Sequence, residues 1–227
     1  MIGGNEVSVE SRLAVTQPGF STSAVSRVRV YDAAKSAVDF SLALLLLILL
    51  LPVFLIIAVA IKLESRGPIF FIQERVGRDG RLFGFVKFRS MENGAHQRHE
   101  EVIGEFQEGA AVGVKADPRV TSVGAVLRRW SIDELPQLIN VLRGEMSLVG
   151  PRPLPLRDYE LLDDVQKKRY MVLPGVTGMW QVSGRSDLGF DELIRLDFSY
   201  IDQWSIWMDM VILVKTIPVV FGRKGAF

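Results

Sequence analysis

Two adjacent carboxylates, Asp133 and Glu134, follow two guanidinium groups, Arg128 and Arg129, and this is the stretch best suited to chemistry. Leu135, Leu138, Ile139 and Leu142 recur at i, i+3, i+4 and i+7, which predicts a helix with one apolar stripe. Gly144 is its C-terminal stop. Ser131 and Glu134 have the spacing of a capping box. With Asp133 as the cap instead, Pro136 falls at the third helical position, where no donor is needed. Both starts remain open. Either one puts the acidic pair at or in the first turn, where the helix dipole favours the ionised forms. Capping is the ordinary fate of Asp and Glu there. What shifts the balance is the segment Gly144 to Pro153, a rigid exit from the helix that carries Arg152. A carboxylate pair facing several arginines suits an anionic substrate held beside a nucleophile or a metal.

Ser131-Ile132-Asp133-Glu134-Leu135-Pro136-Gln137-Leu138, followed by Met146-Ser147-Leu148-Val149-Gly150-Pro151-Arg152-Pro153, resembles the bacterial sugar transferase family. These are small monotopic phosphoglycosyl transferases that move a sugar-1-phosphate from a UDP-sugar onto polyprenyl phosphate. Lys87-Phe88-Arg89-Ser90-Met91 and the run from Pro174 to Arg185 extend the resemblance, which covers roughly residues 31–227. It implies that Asp133 attacks the β-phosphorus and expels UMP, leaving a sugar-1-phosphoryl-aspartate that polyprenyl (undecaprenyl) phosphate then attacks. It implies Mg²⁺ on Asp133, with Glu134 assisting. Lys87, Arg89, Arg128, Arg152 and Arg185 become candidate contacts to substrate phosphates. The product would start an exopolysaccharide or a related glycan, on the cytosolic face of a bacterial inner membrane.

The elements that must position these residues begin with a membrane segment. Leu42 to Ile61 carries no charge and one helix breaker, Pro52. Twenty residues make about 30 Å of helix, enough to cross the hydrocarbon core. Hydropathy alone favours a spanning helix with a proline kink. Each half is about one leaflet long, and Arg27, Arg29 and Lys35 before the run mirror the basic residues after it. The positive-inside rule therefore gives no orientation. The family resemblance implies a re-entrant hairpin broken at Pro52.

Ile69 to Arg75 and Leu82 to Phe88 are strand-like around a turn at Gly77–Gly80. Glu92 to Glu108 reads as an exposed polar helix, Asp158 to Tyr170 as an amphipathic one, and Pro174 to Arg185 as a glycine-rich loop. Asp191 to Tyr200 is helical. Ser205 caps a last helix that is either buried or interfacial, with Trp204 and Trp207 at headgroup depth. The expected organisation is a disordered tail (1–30), a membrane re-entrant helix (31–66), a cytosolic catalytic domain (67–203) and an interfacial C-terminal helix (204–227). The fold class is α/β, mostly helical, docked on a membrane.

Composition excludes several alternatives. Lys and Arg number 27 against 26 Asp and Glu, with no basic repeat or zinc spacing, so nucleic acid is not a partner. From Lys62 to Met91, however, seven basic residues stand against three acidic ones. Cysteine is absent, which removes thiol nucleophiles and disulfides. His96 and His99, next to Glu100 and Glu101, read as a solvated face rather than a metal site. Two rival functions stay open: a non-catalytic membrane adaptor with Asp133 and Glu134 as caps, and a transferase that passes the bare sugar and releases UDP. The sugar is open, and so is assembly into a homo-oligomer.

Overall fold

The computed structural model describes residues 22–95, 117–184 and 188–222. The first element, α1 (Thr22–Glu64), is a helix of 43 residues. It begins inside the stretch expected to be a tail, most of which lies outside the described residues. The helix continues through Pro52, so the expected break is not an interruption of the element. Proline removes one backbone donor and crowds one carbonyl, and packing on both sides of it opposes a break. Asp39, Ala43, Leu47, Leu50, Phe54, Ile57 and Ile61 step along α1 by three or four residues and form a single stripe against the rest of the protein. The opposite face is bare: Leu49 is 64% exposed, Ile56 70% and Leu63 83%.

The C-terminal end of α1 is tied down from both sides. The carbonyls of a helix's last turn have no partner within the helix. Arg89 supplies one, donating to the carbonyls of Ile61 (3.4 Å), Ser65 (2.8 Å) and Arg66 (3.1 Å) and to Ser65 Oγ (2.9 Å). Gly67 (φ 129°) makes room, since a Cβ there would sit 2.1 Å from Arg89 Nη1. In return Glu64 accepts from the Val123 amide at the start of α2 (Ser122–Arg129), where Thr121 Oγ1 caps Gly124 at 2.9 Å.

The expected hairpin is present as β1 (Phe70–Val76) and β2 (Leu82–Phe88), antiparallel, with Phe71 opposite Lys87, Gln73 opposite Phe85 and Arg75 opposite Phe83. Helix α3 (Leu138–Leu142) seats against β2 through one side chain. The buried Asn140 takes the Val86 amide on Oδ1 (3.1 Å) and donates to the Gly84 carbonyl (2.7 Å), so it pairs the strand as a neighbouring strand would. β3 (Ser147–Val149) runs parallel to β4 (Gly175–Thr177). Here the sequence reading needs correction, because Pro174 to Gly184 is not a loop. It forms β4 and then α5 (Met179–Ser183). A Cβ on Gly175 would meet Gly150 N at 2.1 Å, so this glycine permits the close contact of β3 and β4.

The amphipathic helix expected over Asp158–Tyr170 is two pieces, α4 (Leu156–Glu160) and a 3₁₀ turn at Gln166–Met171. Leu162 and Tyr170 are buried, whereas Val165 is 40% exposed. α6 (Phe190–Gln203) matches the expected helix, and Ser205 Oγ caps α7 (Ile206–Gly222) through the Met208 amide at 3.1 Å. One face of α7 is buried at Ile212 and the other exposes Trp207 at 77%. Trp204 is not free for the interface, since its Nε1 donates to Asp209 Oδ2 at 3.2 Å. The expected polar helix at Glu92–Glu108 lies largely outside the described residues.

Arg89 was expected at a substrate phosphate, but its guanidinium is committed to the end of α1. Arg89→Met should therefore cost about 3 kcal/mol, the scale of several charge-assisted bonds lost with their buried acceptors. A denaturant melt in detergent reads this directly. Unchanged stability would remove the capping role.

Candidate active site

Asp133 and Glu134 lie in a 3₁₀ turn, Ile132–Gln137, that precedes α3. No capping box forms: Ser131 adopts left-handed backbone (φ 54°) and its side chain caps nothing. Three residues per turn put side chains at i and i+3 directly in line. Ile132 and Leu135 thus share one face, and both pack on the cluster built from Phe54, Ile57 and Ile61 of α1. The same geometry turns the acidic pair away from the membrane helix, towards the hairpin.

The two carboxylates meet different fates. Glu134 Oε1 accepts from Lys87 Nζ at 2.7 Å and from Arg152 Nη2 at 2.8 Å, and its Oε2 accepts from Arg152 Nη1 at 3.2 Å. Burial alone would raise its pKa, but Arg152 and Lys87 outweigh burial and hold it well below the ordinary Glu value. Asp133 is 7% exposed and has no hydrogen-bond or ion-pair partner among the described residues. Burial raises its pKa. Lys87 opposes that shift, and the charge of Glu134 adds to it. The pair thus holds one fully neutralised carboxylate and one that is not.

Asp133 lines a cavity of about 340 Å³. Arg128 lines it too and donates Nε to Ser90 Oγ at 2.9 Å. Lys87 is at the rim, but its charge, like that of Arg152, is already engaged by Glu134. Arg89 lines the wall while capping α1. Arg185 lies outside the described residues. No cluster of three or more metal-ligating side chains occurs among the described residues. Glu134 has both oxygens occupied, so Asp133 is the one member of the pair open to a cation.

Several residues that build the site carry weak sequence signals. Arg169 is buried, pairs with Asp197 and donates Nη2 to the Arg152 carbonyl at 2.9 Å, which fixes the backbone of that arginine. Nothing in the spacing of Arg169 and Asp197 announces the pairing. Phe71, Gln73 and Arg75 all line the cavity. Their signal was available as the two-residue period of β1, in register with Lys87.

The two carboxylates should respond oppositely to substitution. Asp133 has a raised folded pKa, so the unfolded chain ionises first and stability falls as pH rises from the ordinary Asp value to the folded one. Asp133→Asn should match wild type near pH 4 and melt a few degrees higher at pH 7, on the scale of about 1 kcal/mol. Glu134 contributes stability above the ordinary Glu pKa that is lost as pH falls through its depressed folded value. Glu134→Gln strands two half-buried cations and should cost about 2–3 kcal/mol at pH 7. Melts at the two pH values test both signs.

Comparison with known proteins places this arrangement. The bacterial sugar transferase family model matches residues 30–223. ExoY, an exopolysaccharide production protein of Rhizobium meliloti (strain 1021), is 40% identical over 203 residues, covering 86% of this chain and 88% of ExoY. The galactosyl transferase CpsE of Streptococcus agalactiae serotype III (strain NEM316) is 47% identical over 165 residues, 72% of this chain but 37% of CpsE. The undecaprenyl-phosphate galactose phosphotransferase of Salmonella typhimurium is 39% identical over 198 residues, 85% of this chain and 41% of that protein. The chain thus spans nearly all of ExoY and about two fifths of the longer relatives. With the match running from the membrane helix to the last helix, the chain belongs to the bacterial sugar transferase family.

Proposed function

We propose that this protein transfers a sugar-1-phosphate from a UDP-sugar to undecaprenyl phosphate, as the initiating step of exopolysaccharide or related glycan synthesis. The observation that carries the reading is the unpartnered Asp133 in a cation-lined cavity beside a fully neutralised Glu134. A carboxylate nucleophile must be free to attack, and Asp133 is. In the first step an Asp133 oxygen bonds to the β-phosphorus, and the bond from that phosphorus to the bridging oxygen breaks. UMP leaves with the electron pair. In the second step a phosphate oxygen of the lipid attacks the same phosphorus and returns Asp133 as a carboxylate. Glu134, Lys87 and Arg152 form the wall that fixes Asp133 and keeps the local charge from repelling a diphosphate. Arg128 adds positive charge on the approach.

Mg²⁺ fits a donor set of one free carboxylate plus substrate phosphates. Asp133 would hold it, and Glu134 would contribute only by releasing a cation. The ion would neutralise diphosphate charge. The relatives that are named for undecaprenyl-phosphate galactose and glucose transfer support the lipid acceptor. The sugar remains a choice among UDP-hexoses.

Incubation of wild type with UDP-sugar and Mg²⁺, without lipid, should give UMP and a phosphosugar adduct on Asp133 by peptide mass. Asp133→Asn should give neither. Release of UDP, or an adduct elsewhere, would overturn the mechanism.

We also propose that α1 does not cross the bilayer, and that it sits with the catalytic domain on the cytosolic face of the inner membrane. From Asp39 to Ile61 the stripe against the domain spans about 33 Å, as long as the hydrocarbon core is thick. A perpendicular crossing over that length would carry charged protein into lipid. The bare apolar face instead suits partial insertion from one side. Single cysteines at Ser23 and Glu160, in a chain that has none, should both resist an impermeant thiol reagent in intact cells. Labelling of the Ser23 variant alone would establish a crossing.

A further inference from the structure

Arg75 is a cavity residue whose charge Glu134 and Asp158 offset only from a distance. It is half-buried and has no carboxylate in hydrogen-bond or ion-pair contact among the described residues. Its Nη1 donates to the Pro153 carbonyl at 3.0 Å and its Nη2 to Gln73 Oε1 at 2.8 Å. Its Nε is buried with no partner at all. The guanidinium lies 5.2 Å from the centre of the Phe85 ring, as does Lys87 Nζ. Lys87, Arg152 and Arg119 are each matched by an acid, Glu134 for the first two and Asp117 for the third. Burial, and then the charge of Arg152, pull the Arg75 pKa down to about 10, still charged at neutral pH.

A half-buried cation with no contacting carboxylate and an unpartnered Nε is a place where an arriving anion is stabilised. Arg75 lines the same cavity as Asp133 and holds the backbone next to Arg152. We propose that Arg75 is a substrate-binding residue that takes a phosphate oxygen in this cavity, with Gln73 and Phe85 orienting its guanidinium. The inference rests on the transfer reaction proposed above. The phosphate can belong to the donor's diphosphate or to the lipid acceptor, and separate kinetics distinguish them.

The test uses the full chain in detergent and the variants Arg75→Lys and Arg75→Met, with Arg157→Met as an exposed control. A charge-assisted bond lost to Met should raise a substrate KM by roughly tenfold or more, with Lys intermediate. A rise confined to the UDP-sugar assigns the donor phosphate, and a rise confined to the lipid assigns the acceptor phosphate. Either supports the proposal. Unchanged KM for both substrates, with any loss confined to melting temperature, would overturn it and leave Arg75 a purely structural tie to Pro153. A binding arm stands apart from turnover. UDP should raise the melting temperature of wild type and Arg157→Met, but much less that of Arg75→Met. If wild type binds UDP yet releases no UMP from UDP-sugar, the reaction reading fails, while the same melts with UDP and with undecaprenyl phosphate still decide Arg75: a weaker shift with either ligand in Arg75→Met supports it and equal shifts with both overturn it.

Discussion

Three separate pieces of chain converge on the Glu134 carboxylate. Lys87 comes from β2, Arg152 from the proline-rich segment after β3, and Glu134 itself from the 3₁₀ turn before α3. Each alone would be a buried charge seeking a partner. Together they satisfy one another, and the geometry of the site follows from that closure. Asn140 repeats the logic in neutral form, since it ties α3 to β2 through the Gly84 and Val86 backbone. Arg169 and Asp197 repeat it a third time, behind Arg152. The turn carrying the acidic pair is therefore held from the hairpin side by polar contacts and from the α1 side by apolar ones. Asp133 is the residue those restraints leave over.

That asymmetry answers an old difficulty of adjacent carboxylates. Two anions side by side in a buried site repel, and one of them would ordinarily take a proton. Here Glu134 is surrounded by two cations and stays ionised, while Asp133 bears the cost of burial. Asp133, with no contacting cation, and Arg75, with no contacting carboxylate, line one cavity, and in the proposed reaction a phosphate would enter between such groups. The cavity is built to be completed by what enters it.

Much of this was legible in the sequence where local rules suffice. The hairpin, its turn, α6 and the Ser205 cap follow from alternation, glycine placement and capping chemistry, all of which act within a few residues. The acidic pair was legible as well, but its setting was not. The S-x-x-E spacing suggested an α-helical capping box, whereas tertiary packing of Ile132 and Leu135 on α1 selects the tighter turn. The carbonyls that Arg89 caps at the end of α1 left no mark in the sequence either. In both cases a partner far away in the chain decides the outcome.

The placement of α1 links the two substrates. The helix presents one apolar face outward and seats the cluster of Phe54, Ile57 and Ile61 directly beneath Ile132 and Leu135. Asp133 is therefore one residue removed from a side chain that touches the lipid-seeking helix. In the proposed reaction a soluble nucleotide sugar would enter the cavity from the polar side, where Arg128 and the hairpin line it. A lipid phosphate held at the bilayer surface need not be drawn far out to reach the same carboxylate. Without α1 against the domain, the acidic turn would lose its apolar seat, and the packing that selects its 3₁₀ form would be gone. Helix α1 is thus part of the scaffold that holds the acidic turn, packed against the domain along its whole stripe.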